Sequence, residues 1–306
     1  MSLRVKVALA FLAVYIIWGS TYLAIRFVEE SLPPFFMAGT RFLIAGGIFY
    51  VWLRLRGASG GTRLDWKVAL ITGGLMLMGG HGAVVWAEQQ QVPSGLVSLL
   101  VATVPLWMVL SDWVWNKSKP SLGVIAGLAV GFVGVALLIE NLSAGDSYVG
   151  LVGGVVVVVG AFLWANGSLF SRSAKPSSSP FLATALEMIV GGSLLLMASV
   201  VTGEWMNIRL DLVSTRSLIS WVYLIVFGSL VAFTSYIWLL RRTTTAKVST
   251  YSYVNPIVAL ILGWTLANET LTVRNVLAAG IILASVVIIT TCTSEGSSGR
   301  KTANRE

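Results

Sequence analysis

Charge is what this sequence has least of: Asp, Glu, Lys and Arg make up 11% of its 306 residues, where a soluble domain carries about 25%. Cysteine is nearly absent as well, and the one present, Cys292, excludes an internal disulfide framework and any multi-cysteine metal site. No G-x-x-x-x-G-K-[ST] phosphate loop occurs, which argues against ATP hydrolysis by this chain. Neither H-E-x-x-H nor a G-x-S-x-G nucleophile elbow is found. Histidine occurs once, as His81, so an enzyme inside the membrane has little to build on. No catalytic residue, metal site or cofactor is expected. The net charge of +8 could suggest nucleic acid, but the basic residues sit in short clusters between apolar runs, with no basic stripe along a helix. No nucleic-acid partner is expected either.

What the chain has in abundance is hydrophobic residues, 56% of the total, with a mean hydropathy of +0.83. A membrane span needs about 20 mostly apolar residues at a rise of about 1.5 Å each. That ruler gives spans near 5–26, 34–53, 67–87, 93–115, 121–139, 149–171, 180–202, 217–240, 246–267 and 273–291. The first begins after Arg4 and Lys6 like a signal peptide, but it is too long for one and many similar runs follow. The breaks between spans carry turn residues such as Pro33-Pro34, Pro93-Ser94-Gly95, Lys119-Pro120 and Ser177 to Pro180.

Basic residues assign a direction. With the N-terminus in the cytoplasm, that side holds sixteen Lys and Arg, among them Arg4, Arg54, Lys117, Arg172 and Arg241, against Arg26, Arg209, Arg216 and Arg274 outside. Acidic residues such as Glu29, Glu88, Glu140, Glu204 and Glu269 fall mostly outside. Both termini are therefore expected in the cytoplasm. The tail from Thr293, rich in Ser, Gly and charge, shows no apolar pattern and is expected to be disordered.

The two halves echo each other. Trp18-Gly19-Ser20 aligns with Trp164-Ala165-Asn166, Pro34-Phe35 with Pro180-Phe181, Arg41 with Glu187 and Gly46 with Gly192. Trp66, Gly73 and Leu75 align with Trp221, Gly228 and Leu230, and Pro105 with Pro256. Each half holds five spans, an odd number, so the second must insert upside down relative to the first. The expected fold is an all-α integral membrane protein of ten transmembrane helices in two inverted five-helix repeats. Residues 1–145 form the first repeat, 146–291 the second, and 292–306 a tail. Inverted repeats recur in secondary transporters, because two related packings can open to opposite sides.

The run Trp18-Gly-Ser-Thr-Tyr-Leu-Ala-Ile-Arg26, Pro33-Pro34-Phe and Arg41-Phe42 resembles the EamA family of the drug/metabolite transporter superfamily. So do Asn255-Pro256, Leu262-Gly263-Trp264 and Glu269-Thr270-Leu271-Thr272 in the second half. The resemblance covers about residues 8 to 290 and is closest to bacterial inner-membrane exporters of amino acids and related metabolites, including the YddG type. It implies a central cavity lined by spans 1, 3, 4, 6, 8 and 9, with spans 5 and 10 behind. The first half departs from the pattern: Asn116 to Lys119 stand where a counterpart of Glu269 would lie. Gly123, Gly127 and Gly131 in span 5, and Ala278, Ala279, Gly280 and Ala284 in span 10, read as packing ridges rather than substrate contacts.

Candidate substrate contacts follow from residues that are costly in lipid. His81 lies well inside span 3 and its repeat counterpart is Tyr236; intramembrane ionisable groups tend to face a pathway. The plainer reading is a histidine hydrogen-bonded between helices. Trp18 and Trp164 are repeat mates near mid-span, away from the interfaces where Trp usually collects, and Tyr15, Trp18 and Tyr22 share one helix face. They suggest a platform for an apolar or aromatic ligand, with ordinary core packing as the alternative. Glu187 is the one carboxylate in the middle of a span and, with His81, a candidate for proton coupling. Arg41 and Glu187 should lie roughly 10 Å apart along the membrane normal, too far for a direct pair unless helices tilt. Pro105 and Pro256 interrupt spans 4 and 9 and free backbone carbonyls; Thr103 and Asn255 beside them could add polar contacts.

These readings converge on a secondary transporter exporting a small metabolite, amino acids and aromatic ones among them, by alternating access. A membrane-embedded enzyme, a structural subunit and an uncoupled channel are the competing functions for the same scaffold. Partners are a small-molecule substrate and the lipid bilayer.

Overall fold

A computed structural model describes residues 2–90, 97, 100–117, 119–138, 147–174, 179–266 and 273–303. Ten helices carry the architecture among these residues. They are α1 (Leu3–Glu29), α2 (Pro34–Leu55), α3 (residues 63–89), α4 (Val104–Asn116), α5 (Leu122–Leu138), α6 (Ser147–Ser173), α7 (Pro180–Val201), α8 (residues 215–240), α9 (Tyr251–Leu266) and α10 (Val273–Ala303). Six helices, α1, α2, α3, α6, α7 and α8, are long and apolar enough to cross a membrane.

Local chemistry sets the helix ends. Ser2 accepts from the Val5 backbone N–H at the start of α1, and Ser179 does the same for Leu182 ahead of Pro180. Thr62 and Asp65 form a reciprocal capping box at the start of α3. Lys117 ends α4 with φ of 55° and Gly203 follows α7 with φ of 78°, left-handed conformations that a helix cannot continue through. The start of α2 has no capping side chain of its own. Glu204, buried in the α7–α8 connection, supplies it from afar: its two carboxylate oxygens accept from the N–H groups of Phe35 (3.2 Å) and Phe36 (2.9 Å). A carboxylate there meets both the orphan donors and the positive end of the helix dipole. Glu204→Ala should therefore lower stability by about 1–2 kcal/mol, read as a fall in the apparent melting temperature in detergent, with Glu204→Gln losing less.

The inverted arrangement is visible where repeat mates touch. Between α2 and α7 the close approaches are Gly39 with Leu196, Leu43 with Gly192 and Gly46 with Ile189. One number rises as the other falls, so the mates run antiparallel. The same holds for α5 and α10, where Gly123 meets Cys292, Gly127 meets Ile289 and Gly134 meets Ile282. The other contacts come in symmetric sets: α3 against α6 mirrors α1 against α8, and α4 against α6 mirrors α1 against α9. The glycine ridge expected on α5 thus packs on α10. A Cβ at Gly127 would stand 2.7 Å from Ile289 Cγ1 and 3.3 Å from the Ile289 backbone nitrogen, so the missing side chain lets the backbones approach. The principal core draws on α1, α2, α3, α4, α6, α7, α8 and α9, whereas α5 and α10 join a second cluster with Tyr253 and Ile257 of α9.

Four features differ from the sequence expectation. Residues Gly73–His81 of α3 and Leu224–Phe233 of α8 are π-helical, at overlapping positions of the two repeats, where hydropathy alone suggested uniform α-helix. Span 9 is divided at Thr250: a short helix, Thr245–Ser249, precedes α9. Pro256 sits inside α9, but Pro105 lies in the first turn of α4, where its missing N–H has no helical partner to lose. Finally, the α10 backbone stays helical through Ala303, past the Thr293 at which disorder was expected. No proline stops it, and extending an existing helix avoids the cost of nucleation. The Glu269 motif, Pro93-Ser94-Gly95, and Trp264 (as a side chain) lie outside the described residues.

Candidate functional site

Along α1 the buried positions Val14, Trp18, Thr21, Ala24 and Val28 recur at helical spacing and turn one stripe inward. Trp18 is the hub of that stripe. Its ring lies 5.0 Å from Tyr236 of α8, 5.0 Å from Tyr251 at the start of α9, 5.9 Å from Trp164 of α6 and 6.5 Å from Phe233. Its indole N–H donates to the carbonyl of Gly228 at 3.1 Å, inside the π-helical segment of α8. Aromatic pairs of this kind contribute about 0.5–1.5 kcal/mol each beyond their buried area.

A closed hydrogen-bond cycle holds the facing side. Trp164 Nε1 donates to Tyr236 Oη at 3.2 Å, and Ser168 Oγ donates to the Trp164 carbonyl at 2.7 Å. Serine has one hydroxyl proton, so in the 2.7 Å contact between Ser168 and Tyr236 the tyrosine donates. Every polar atom in the cycle is satisfied, as burial requires, and Tyr236 is 0% exposed. At the rim, Tyr15 Oη pairs with Thr250 Oγ1, while Tyr22 is exposed, so the three-residue face of α1 divides between centre and edge.

Beside the aromatic centre is a basic corner. Arg41 of α2 is buried, donates from Nε to Ser229 Oγ at 2.9 Å, and holds its guanidinium 4.6 Å from the Phe42 ring centre. His81, at the end of the π-helical stretch of α3, meets Phe42 from another side at 5.5 Å, nearly perpendicular. Phe42 in turn lies 6.1 Å from Phe233 and so joins corner to centre. Two buried atoms here have no hydrogen-bond partner: Arg41 Nη1 and His81 Nε2.

Glu187 of α7 stands apart. It is 2% exposed, with Oε1 unpartnered and with Thr72 and Arg241 as the groups that face it. The α2–α7 register separates it from Arg41 by seven residues, about 10 Å along the helices. Among the described residues the ion pairs are Arg209–Asp211 (3.1 Å) and Arg216–Glu30 (2.7 Å), both on exposed side chains.

Of the residues singled out in the sequence, Trp18, Trp164 and Tyr236 converge, and His81 reaches them through Phe42 and Phe233. The polar groups of Thr103 and Asn255 are engaged by backbone carbonyls. Thr103 spends its hydroxyl on the Leu100 carbonyl at 2.6 Å, and the Asn255 amide donates to the carbonyls of Tyr251 (3.1 Å) and Tyr15 (3.3 Å), tying α1 to α9. Sequence reasoning missed Tyr251, Phe233, Ser168 and Ser229. No repeat match pointed to them, since Tyr251 has the aliphatic Leu100 as its counterpart. At the aromatic centre the described rings are packed against one another, with centroids 5.0–5.9 Å apart. An open-sided pocket of about 360 Å³ lies between α2, α3 and α6, lined by residues including Phe35, Met78, Gly79, Trp86 and Leu163. Among the described residues no group of His, Cys, Asp and Glu could hold a metal.

Comparison with known proteins gives this geometry a family. The model of the EamA-like transporter family matches residues 5–140 and again 151–291. The uncharacterized inner membrane transporter YedA of Escherichia coli K12 is 38% identical over 92% of this chain and 89% of its own length. A probable amino-acid metabolite efflux pump of Salmonella typhimurium is 27% identical over 90% of this chain and 92% of its own. A solved crystal structure superposes with a TM-score of 0.79 at 17% identity, covering 94% of this chain and 98% of that one; at that identity the likeness concerns the fold alone. Two matched copies spanning nearly the whole sequence, together with a relative this similar, place the chain in the EamA-like transporter family.

Proposed function

We propose that this membrane transporter is an exporter of small amino acid-like or aromatic metabolites, working by alternating access with both termini in the cytoplasm. The observation that carries the proposal is the aromatic centre shared by the two repeats, with Trp18 and Trp164 as mates facing Tyr236 and with the unpartnered His81 Nε2 beside it. A stacked or edge-on ring can bind there and be released by a modest shift of helices. In the conformation described the rings touch, so substrate enters only when α1, α6 and α8 part. Glu187 and His81 are the groups through which protons would couple to flux.

Counterflow into proteoliposomes, run across amino acids and aromatic compounds, tests the proposal. Saturable exchange of at least one solute is expected. His81→Ala should cut the rate about tenfold while the protein inserts normally, a loss of roughly 1.4 kcal/mol in transition-state stabilisation. Absence of exchange for every solute would sink the exporter reading. The ring-to-ring contact also favours a second reading, a structural subunit whose centre stays packed in every state. Such a protein would give no counterflow, and a channel would give flux without it.

A further inference from the structure

We infer that Arg41 is an anion-binding residue of the transport path and that the transported solute carries a carboxylate. The inference names the substrate class of the site above and rests on the exporter reading.

The argument begins with an uncompensated charge. Arginine stays protonated in proteins, and Arg41 is 3% exposed at mid-helix in a membrane-embedded bundle. A buried cation is tolerated when an opposite charge and hydrogen bonds replace its lost water. Among the described residues no carboxylate lies within ion-pair distance of it. Its partners are the neutral Ser229 hydroxyl on Nε and the face of Phe42, and Nη1 has no partner at all. Glu187 is about 10 Å away along the helices. His81 cannot supply negative charge, whatever its protonation state. The missing anion is therefore one that the solute brings.

Position agrees with that role. The guanidinium rests against the Gly228 turn: a Cβ built there would stand 3.3 Å from Arg41 Nη2. The carbonyl of that same Gly228 holds the Trp18 indole. One turn of α8 thus touches both the cation and the aromatic hub, and a solute with a carboxylate at Arg41 has its body among Trp18, Phe233 and Trp164. The unpartnered His81 Nε2 belongs to the same corner, its ring 5.5 Å from Phe42, and offers a further hydrogen bond. Among the described residues Arg41 is the one cation shown in this corner, and its other walls include Phe42 and Phe233, so a singly charged carboxylate fits better than a phosphate, whose second charge would be left unpaired.

Equilibrium dialysis of the purified protein with radiolabelled 3-phenylpropionate tests this directly. Its methyl ester and 2-phenylethylamine serve as competitors that keep the ring and remove the anion. The acid is expected to bind saturably, with ester and amine at least about tenfold weaker, the usual effect of losing a charge-assisted hydrogen bond. Arg41→Gln should weaken the acid by a similar factor and leave the ester unchanged, while Arg41→Lys restores part of the loss. If Arg41→Gln does not fold, the acid-to-ester ratio of the wild-type protein decides alone. Equal binding of acid and ester, undiminished binding by a folded Arg41→Gln, or no binding of the acid would each overturn the inference. Counterflow separates the two proposals: exchange of solutes without preference for carboxylates overturns the role of Arg41 and keeps the exporter, whereas absence of any exchange removes the exporter and leaves the dialysis result to judge the anion site.

Discussion

Gly192→Leu is expected to leave almost no folded protein in a size-exclusion profile of the detergent-solubilised chain. At Gly192 even a Cβ would stand 2.5 Å from the Leu43 backbone nitrogen and 2.8 Å from the Gly39 carbonyl oxygen. Both are backbone atoms of α2 and cannot rotate away, so the two helices must separate along their whole crossing. Overpacking typically costs about 1–3 kcal/mol when side chains can adjust; a contact between backbones exceeds that range. Gly47, one residue from the matching Gly46, has nothing within 4 Å of a built Cβ. Gly47→Ala should therefore fold normally and gain about 0.5–1 kcal/mol from the helix preference for alanine, read as a small rise in apparent melting temperature. If Gly192→Leu elutes as wild type, the α2–α7 crossing described here is wrong.

Trp18→Ala should produce the largest functional loss, with counterflow reduced at least tenfold and stability lowered by about 3–5 kcal/mol, as for other buried aromatics cut to alanine. Four rings lean on Trp18, and its N–H satisfies the Gly228 carbonyl. Trp18→Phe separates packing from hydrogen bonding: it keeps a ring but orphans that carbonyl, at a cost of about 1–3 kcal/mol. Tyr236→Phe makes the complementary cut, leaving Trp164 Nε1 without its acceptor. A Trp18→Ala protein that melts and transports like wild type would remove the aromatic centre from any account of this site.

The helices were legible because lipid imposes one simple rule, an apolar stretch long enough to cross, and α1, α2, α3, α6, α7 and α8 obey it. Inversion was legible from parity, and the α5 ridge from glycines spaced by four. What stayed hidden depended on contacts between distant segments. The π-helical stretches add a residue per turn without changing hydropathy, so Gly73–His81 and Leu224–Phe233 left no trace beyond scattered glycines. Glu204 looked like one acid among several on its side of the membrane, and only the fold brings it to the start of α2. Thr103 and Asn255 were polar and next to prolines, which is where local backbone carbonyls also find their donors. Arg41 drew notice as half of a pair with Glu187; its isolation could be seen only once the neighbours of its guanidinium were known.

The α2–α7 crossing also bears on ancestry. Arg41 and Glu187 occupy one position of the five-helix unit, written twice. Two identical half-length subunits would bring two arginines or two glutamates into the same membrane interior, a double charge of one sign. Joining two copies in a single chain lets that position hold one arginine and one glutamate. The electrical asymmetry of the centre is thus something that two identical copies could not provide and two differing copies can.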